Sequence, residues 1–183
     1  REAERVWGRH LLNCAVLGDL IGPDLFVGDV GSGAGLPGIA LAIARPDLRI
    51  ELIEPMERRT AFLQDVIADL GLAGVTVLRS RGEDAPRDRY DVVTARAVAP
   101  LVRLVPMALP LARLGGTLLA IKGAQAAGEL QAATGAIAAA GGGRGTVQTA
   151  GVGVIEPATS VVSIERQRML APARRQTGGG RRG

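Results

Sequence analysis

Residues 26–38 read FVGDVGSGAGLPG. An apolar run ends in Asp29, and glycines follow at the alternate positions 31, 33 and 35. Leu36-Pro37-Gly38 then leads into IALAIA. The pattern predicts a buried strand, a glycine turn and a helix opened by Pro37, where a missing N–H costs nothing. Such a turn exposes bare backbone at the carboxyl end of a strand, where a nucleoside cofactor can approach closely.

Outward from this stretch, strand-like and helix-like segments alternate. Apolar residues at helical spacing (Val6, His10-Leu11, Cys14, Leu17, Leu20) predict an amphipathic helix over 1–21, closed by Gly22-Pro23. Strands are expected at 25–30, 49–54, 75–79, 90–95 and 117–122, and helices at 36–44, 57–70 and 124–140. Prolines 106 and 110 make 101–113 either a kinked helix or two short ones, and Gly115-Gly116 is read as a turn. In the helix over 57–70, Ala61, Phe62, Asp65, Val66 and Leu70 fall near one face. Two further strand-like runs, 146–155 and 160–165, flank Glu156-Pro157. The alternation implies an open α/β sheet, mostly parallel, with helices on both faces and an antiparallel strand at the C-terminal end. Loops after strands one to four then face one crevice.

Composition narrows the function. With 183 residues the chain fits one domain, expected over 1–170. Aromatics are only 2% of the sequence, which argues against recognition of single strands by base stacking. One cysteine and one histidine, Cys14 and His10, exclude an internal disulfide and leave little for a metal cluster or a histidine triad. No run is long enough to span a membrane and no signal peptide is evident, so a cytoplasmic protein is expected. The chain begins at Arg1 rather than Met, and an N-terminal segment is expected to be missing. The net charge of +4 is unevenly placed: six arginines and no acid follow Glu165, whereas residues 1–165 hold 16 basic and 18 acidic residues. The segment 171–183 is expected to be a disordered Arg/Gly-rich tail, either solvated or holding nucleic acid through counterion release.

Two cofactor classes fit the glycine turn. Gly33-x-Gly35-x-x-Gly38 matches the dinucleotide fingerprint and suggests an NAD-dependent oxidoreductase. Asp29, two residues before Gly31, favours S-adenosylmethionine, because Asp-x-Gly-x-Gly-x-Gly is the usual first motif of class I methyltransferases. Asp29 can accept hydrogen bonds from the methionine amino group directly or through water. Glu54, ending strand two, can accept both ribose hydroxyls with either cofactor; a solvated loop acid is the plainer alternative. Gly82-Glu83-Asp84 follows strand three in the position that flanks adenine in methyltransferases. Arg96 ends strand four. Lys122, the only lysine, ends strand five and either faces RNA phosphate or is solvated. No Tyr-Lys or His pair suited to hydride transfer is apparent. A non-catalytic RNA-binding protein is a third reading, motivated by the basic tail.

The run VGDVGSGAGLPGIALAIARPD resembles the motif of the ribosomal RNA small subunit methyltransferase G family, also called the glucose-inhibited division protein B family. Arg9-His10-Leu11-Leu12, Arg58-Arg59-Thr60-Ala61-Phe62-Leu63, Ser80-Arg81-Gly82-Glu83-Asp84, Thr94-Ala95-Arg96-Ala97 and Leu119-Ala120-Ile121-Lys122-Gly123 extend the resemblance over about residues 7–165. It implies a Rossmann-like class I methyltransferase, monomeric, that uses S-adenosylmethionine to methylate N7 of a guanine in 16S rRNA of the small ribosomal subunit. By motif, cofactor contacts fall on Gly31, Leu36, Gly82, Glu83 and Arg96, with Glu54 as the ribose-binding acid and Asp29 and Gly33 in the turn. His10, Arg96 and Lys122 match positions near the RNA-facing mouth. Asn13-Cys14 stands where the family commonly has Asp-Ser, and the family usually has a helical segment ahead of the Arg-His motif.

Overall fold

A computed structural model describes residues 7–169. The start of the helix expected over 1–21 and the tail expected over 171–183 lie outside the described residues.

Seven strands form one sheet: β1 (Phe26–Val30), β2 (Arg49–Ile53), β3 (Val75–Leu78), β4 (Tyr90–Arg96), β5 (Ala112–Lys122), β6 (Thr146–Ala150) and β7 (Thr159–Glu165). Their spatial order is β3-β2-β1-β4-β5-β7-β6. The first five are parallel, and β7 pairs antiparallel with both β5 and β6. The strand order reverses between β1 and β4, so their outgoing loops diverge and leave a crevice at the carboxyl ends.

Alternating strand residues build two cores. On one face Val27, Ile50, Leu52, Val92 and Leu119 pack beneath three helical elements. These are α1, winding successively as a π-type turn (Trp7–Leu12), an α-helical turn (Asn13–Ala15) and a 3-10 stretch (Val16–Leu20), then α2 (Gly38–Ala44) and α3 (Glu57–Asp69). On the other face Val93, Ala95, Leu118 and Ala120 meet α4 (Leu101–Ala108), α5 (Ala126–Ala132) and α6 (Thr134–Ala139). Glu51, an acid within β2, is explained by Tyr90. Gly28 has no side chain where the Tyr90 ring lies, 2.8 Å from where a Cβ would sit. The Tyr90 hydroxyl therefore crosses β1 and donates to Glu51 at 2.5 Å.

Several local expectations shift. Gly115-Gly116 lies inside β5, where the pairing slips between Tyr90 and Val92 as a bulge. The helix expected over 124–140 breaks into α5 and α6 at Ala133. In α3 the buried residues are Thr60 and Leu63, with Val66 and Ile67 partly buried, whereas Phe62 and Leu70 are half exposed. Leu63, together with Ile39, fills the space over Gly35, and the apolar stripe is rotated by one position. Arg166, counted above with the basic tail, is instead buried: it donates to the carbonyls of Pro110 and Ala112 and pairs with Asp88 at 2.6 Å.

Candidate active site

The glycine turn is assembled from three strand ends. Gly31, Gly33 and Gly35 take φ of 69°, 56° and 92°, the left-handed region that glycine enters without strain. The amides of Gly31 and Ser32 donate to the Ile53 carbonyl at the end of β2, and those of Gly35 and Leu36 to the Ser32 carbonyl. The turn therefore folds back on itself and is tied to its neighbour.

Asp29 braces this turn from beneath. It is completely buried; one carboxylate oxygen accepts from the Thr94 hydroxyl at 2.9 Å and the other from the Gly38 amide at 3.1 Å. Burial pushes its carboxyl up to about 6, although the surrounding hydrogen bonds pull the other way. In this conformation both Asp29 oxygens point into the protein and brace the turn. Thr94 was quoted in the sequence as part of a motif, but no local signal assigned it to Asp29, 65 residues away.

Glu54 is not a solvated acid. It is 2% exposed, with one oxygen 3.0 Å from the Gly33 amide, the other 3.0 Å from the Met56 amide, and Arg59 at 3.7 Å. A carboxylate with two oxygens keeps acceptor capacity beyond those two bonds. Gly82 is buried against Met107 and Val30, and Glu83 beside it is exposed. A hollow of about 490 Å³ adjoins the turn, lined by Gly33, Ala34, Met56, Arg58, Arg59 and Phe62.

A larger cleft of about 1360 Å³ opens beyond the ends of β4 and β5; its walls include His10, Arg96, Lys122, Glu129, Glu156 and Thr159. The structure thus gathers Arg96, His10 and Lys122 at one cleft, and it gives the two cations protein partners. Arg96 donates to the His10 carbonyl at 3.2 Å and the Cys14 thiol at 2.9 Å, and meets His10 Nδ1 at 2.6 Å. Burial pushes the Cys14 thiol up, with Arg96 opposing. Lys122 is not a solvated ammonium: its side chain is 9% exposed. Its ammonium donates to the Ala99 carbonyl at 2.8 Å and pairs with Glu129 at 2.9 Å, which also accepts the Leu101 amide that starts α4. The Lys122 hydrogen bond holds the Glu129 carboxyl below its ordinary value. Glu129 carries no motif, and no local signal pairs it with Lys122.

The fold is similar to those of solved methyltransferases. A predicted O-methyltransferase from Agrobacterium tumefaciens is similar at 19% identity and a TM-score of 0.66, covering 86% of this chain and 83% of that one. An S-adenosylmethionine-dependent methyltransferase from Aquifex aeolicus is similar at 18% and 0.62, covering 88% and 93%. The fold is that of the class I methyltransferases. Within that class, the family model described as GidB, rRNA small subunit methyltransferase G, matches residues 1–153. Ribosomal RNA small subunit methyltransferase G of Salinispora tropica is 50% identical across 100% of this chain and 80% of that protein. Its counterpart in Corynebacterium efficiens is 51% identical across 92% and 74%. The chain belongs to the rRNA small subunit methyltransferase G family. Among the described residues, no helix is long and apolar enough to cross a membrane.

Proposed function

We propose that this protein transfers a methyl group from S-adenosylmethionine to N7 of a guanine in 16S rRNA of the small ribosomal subunit. The observation that carries the reading is the glycine turn clasped between buried Asp29 and Glu54 in a chain of this family. The residues fit the cofactor. A Cβ at Gly33 would meet only the Gly31 carbonyl, at 3.8 Å, so that side of the turn is open. We assign Gly31, Gly33 and Leu36 to its backbone cradle, Glu54 to its ribose hydroxyls, and Gly82 and Glu83 to its adenine. Asp29 supports this cradle from below, and Arg96 holds the adjoining wall. The residues 1–170 form the catalytic domain in this reading, acting as a monomer in the cytoplasm, with the arginines beyond available to RNA.

When bound, the cofactor supplies an electrophilic methyl group on a sulfonium. Guanine N7 carries a free lone pair and no proton, so no residue of the chain has to act as a general base. The task left to the protein is positioning, with reacting atoms about 3–3.5 Å apart. The glycine turn holds one partner by backbone contact, and the large cleft admits a base that has left its stack. Arg96 beside the reaction would oppose the positive charge developing on the base. Its engagement with His10 and Cys14 gives it a positioning role instead.

The test is transfer of labelled methyl to small subunits from cells lacking this modification, followed by borohydride–aniline cleavage to map N7-methylguanine. A single cleavage in 16S rRNA is expected. Labelled rRNA without cleavage overturns the N7 assignment, and no label overturns the rRNA reading. Isothermal titration separately measures S-adenosylmethionine binding. NADH fluorescence enhancement in place of that binding restores the oxidoreductase reading.

A further inference from the structure

The polar groups of the large cleft are unequally committed. Arg96 is engaged by His10 and Cys14, and Lys122 by Ala99 and Glu129. Asn13 donates to the Gly8 carbonyl and accepts from Thr159. Glu156 differs: it is exposed on the cleft wall and makes no hydrogen bond or ion pair with a described residue. The wall therefore presents an uncommitted carboxylate beside two cations that are already held by protein partners, Lys122 by an ion pair and Arg96 by uncharged groups.

The loop that carries Glu156 is tied down at both ends. Because β7 runs antiparallel to β5, its first residues lie beside the end of β5, with Ser160 opposite Lys122. The connection from β6 is consequently brought over the mouth of the crevice. It is anchored at one end by Gly151, which sits against Val16 and accepts the amides of Val154 and Ile155. At the other end the Thr159 hydroxyl is bonded to Asn13 of α1.

We propose that Glu156 reads the Watson–Crick edge of the target guanine; the inference rests on the guanine-N7 reading above. A carboxylate is a poor neighbour for phosphate, so at an RNA-facing mouth it suits a base edge instead. Guanine offers two adjacent donors there, N1–H and the N2 amino group, which the two oxygens of one carboxylate accept together. N7 lies on the other edge of the purine. With N7 directed to the crevice beside the glycine turn, the Watson–Crick edge faces outward to the loop that carries Glu156. The reaction strengthens this contact. The N7–carbon bond forms as the carbon–sulfur bond breaks, the electron pair stays on sulfur, and the positive charge passes to the base. The carboxylate then faces charge that appears only as the methyl is transferred. Adenine lacks this pair of donors, and inosine lacks one of them.

The test uses small subunits reconstituted from under-modified 16S rRNA in which a small fraction of guanosine is replaced by inosine. Wild-type protein, Glu156→Gln and Glu156→Ala are compared for methyl transfer, for preference of guanine over inosine at the target, and for affinity towards S-adenosylhomocysteine. Wild type is expected to prefer guanine about tenfold. Both variants are expected to lose about tenfold in kcat/KM, and Glu156→Ala to lose the preference, with S-adenosylhomocysteine affinity unchanged. A Glu156→Ala protein that still prefers guanine, or transfers at the wild-type rate, overturns the assignment. Wild-type protein that labels no rRNA defeats the rRNA reading itself, a result visible before any variant is measured. Label on a base other than guanine overturns the edge contact.

Discussion

Asp29 shows how an acid beside a glycine turn can serve the scaffold. Its position before the glycines marks it as a candidate ligand contact, and in the fold Thr94 and Gly38 each donate to one of its oxygens. Its raised carboxyl pKa, about 6 against 3.8, has a consequence for stability. The native state keeps a proton that the unfolded chain has released, so Asp29 contributes stability below pH 4 that is lost as pH rises to 6. Asn can preserve the geometry, accepting from Gly38 and donating to the Thr94 hydroxyl, but it does not titrate. Urea unfolding of Asp29→Asn between pH 4 and 7 is therefore expected to show the variant gaining on wild type by on the order of 3 kcal/mol as pH rises. A constant difference across that range would show that Asp29 is ionised throughout.

At the scale of the element, the glycine turn separates binding from folding. Gly38 opens α2 against β1 and β2; a Cβ there would stand 2.2 Å from Leu52 Cδ2 and 2.9 Å from Asp29 Oδ2. Gly38→Ala is expected to lower stability by about 1–3 kcal/mol, measured by thermal unfolding, because helix and strand must part. Gly33 has open space instead, and its cost is the left-handed φ alone, about 1 kcal/mol for alanine. Gly33→Ala is expected to remain folded and to lose S-adenosylmethionine affinity in titration calorimetry, at least tenfold. Full affinity would remove this face of the turn from the site. The element was legible in the sequence because its glycines, its acid and its proline are local. The face of α3 was not, because Leu63 is selected by contact with Gly35 across the turn.

For the whole molecule, the N-terminal segment is part of the cleft because Arg96 and Arg45 fasten it to the sheet layer. Arg45 donates to the carbonyls of Gly18, Ile21 and Gly22 at the end of α1, and Arg96 holds His10 and Cys14. Arg96→Ala is expected to raise amide hydrogen exchange across residues 7–15 while leaving the parallel strands protected. Unchanged exchange would mean that packing of Leu17 and its neighbours alone seats the segment. The sequence by itself determined the alternation of strands and helices, the parallel sheet with its crevice, and the acids and glycines at its strand ends. These follow from hydrophobic period and turn chemistry within a few residues. Only the tertiary structure decided which charges remain available: Lys122 is taken by Glu129, Arg96 by the N-terminal segment and Arg166 by the carbonyls before β5, leaving Glu156 uncommitted on the cleft wall. A side chain's partners depend on which distant elements the sheet order brings beside it, and sequence spacing does not record that.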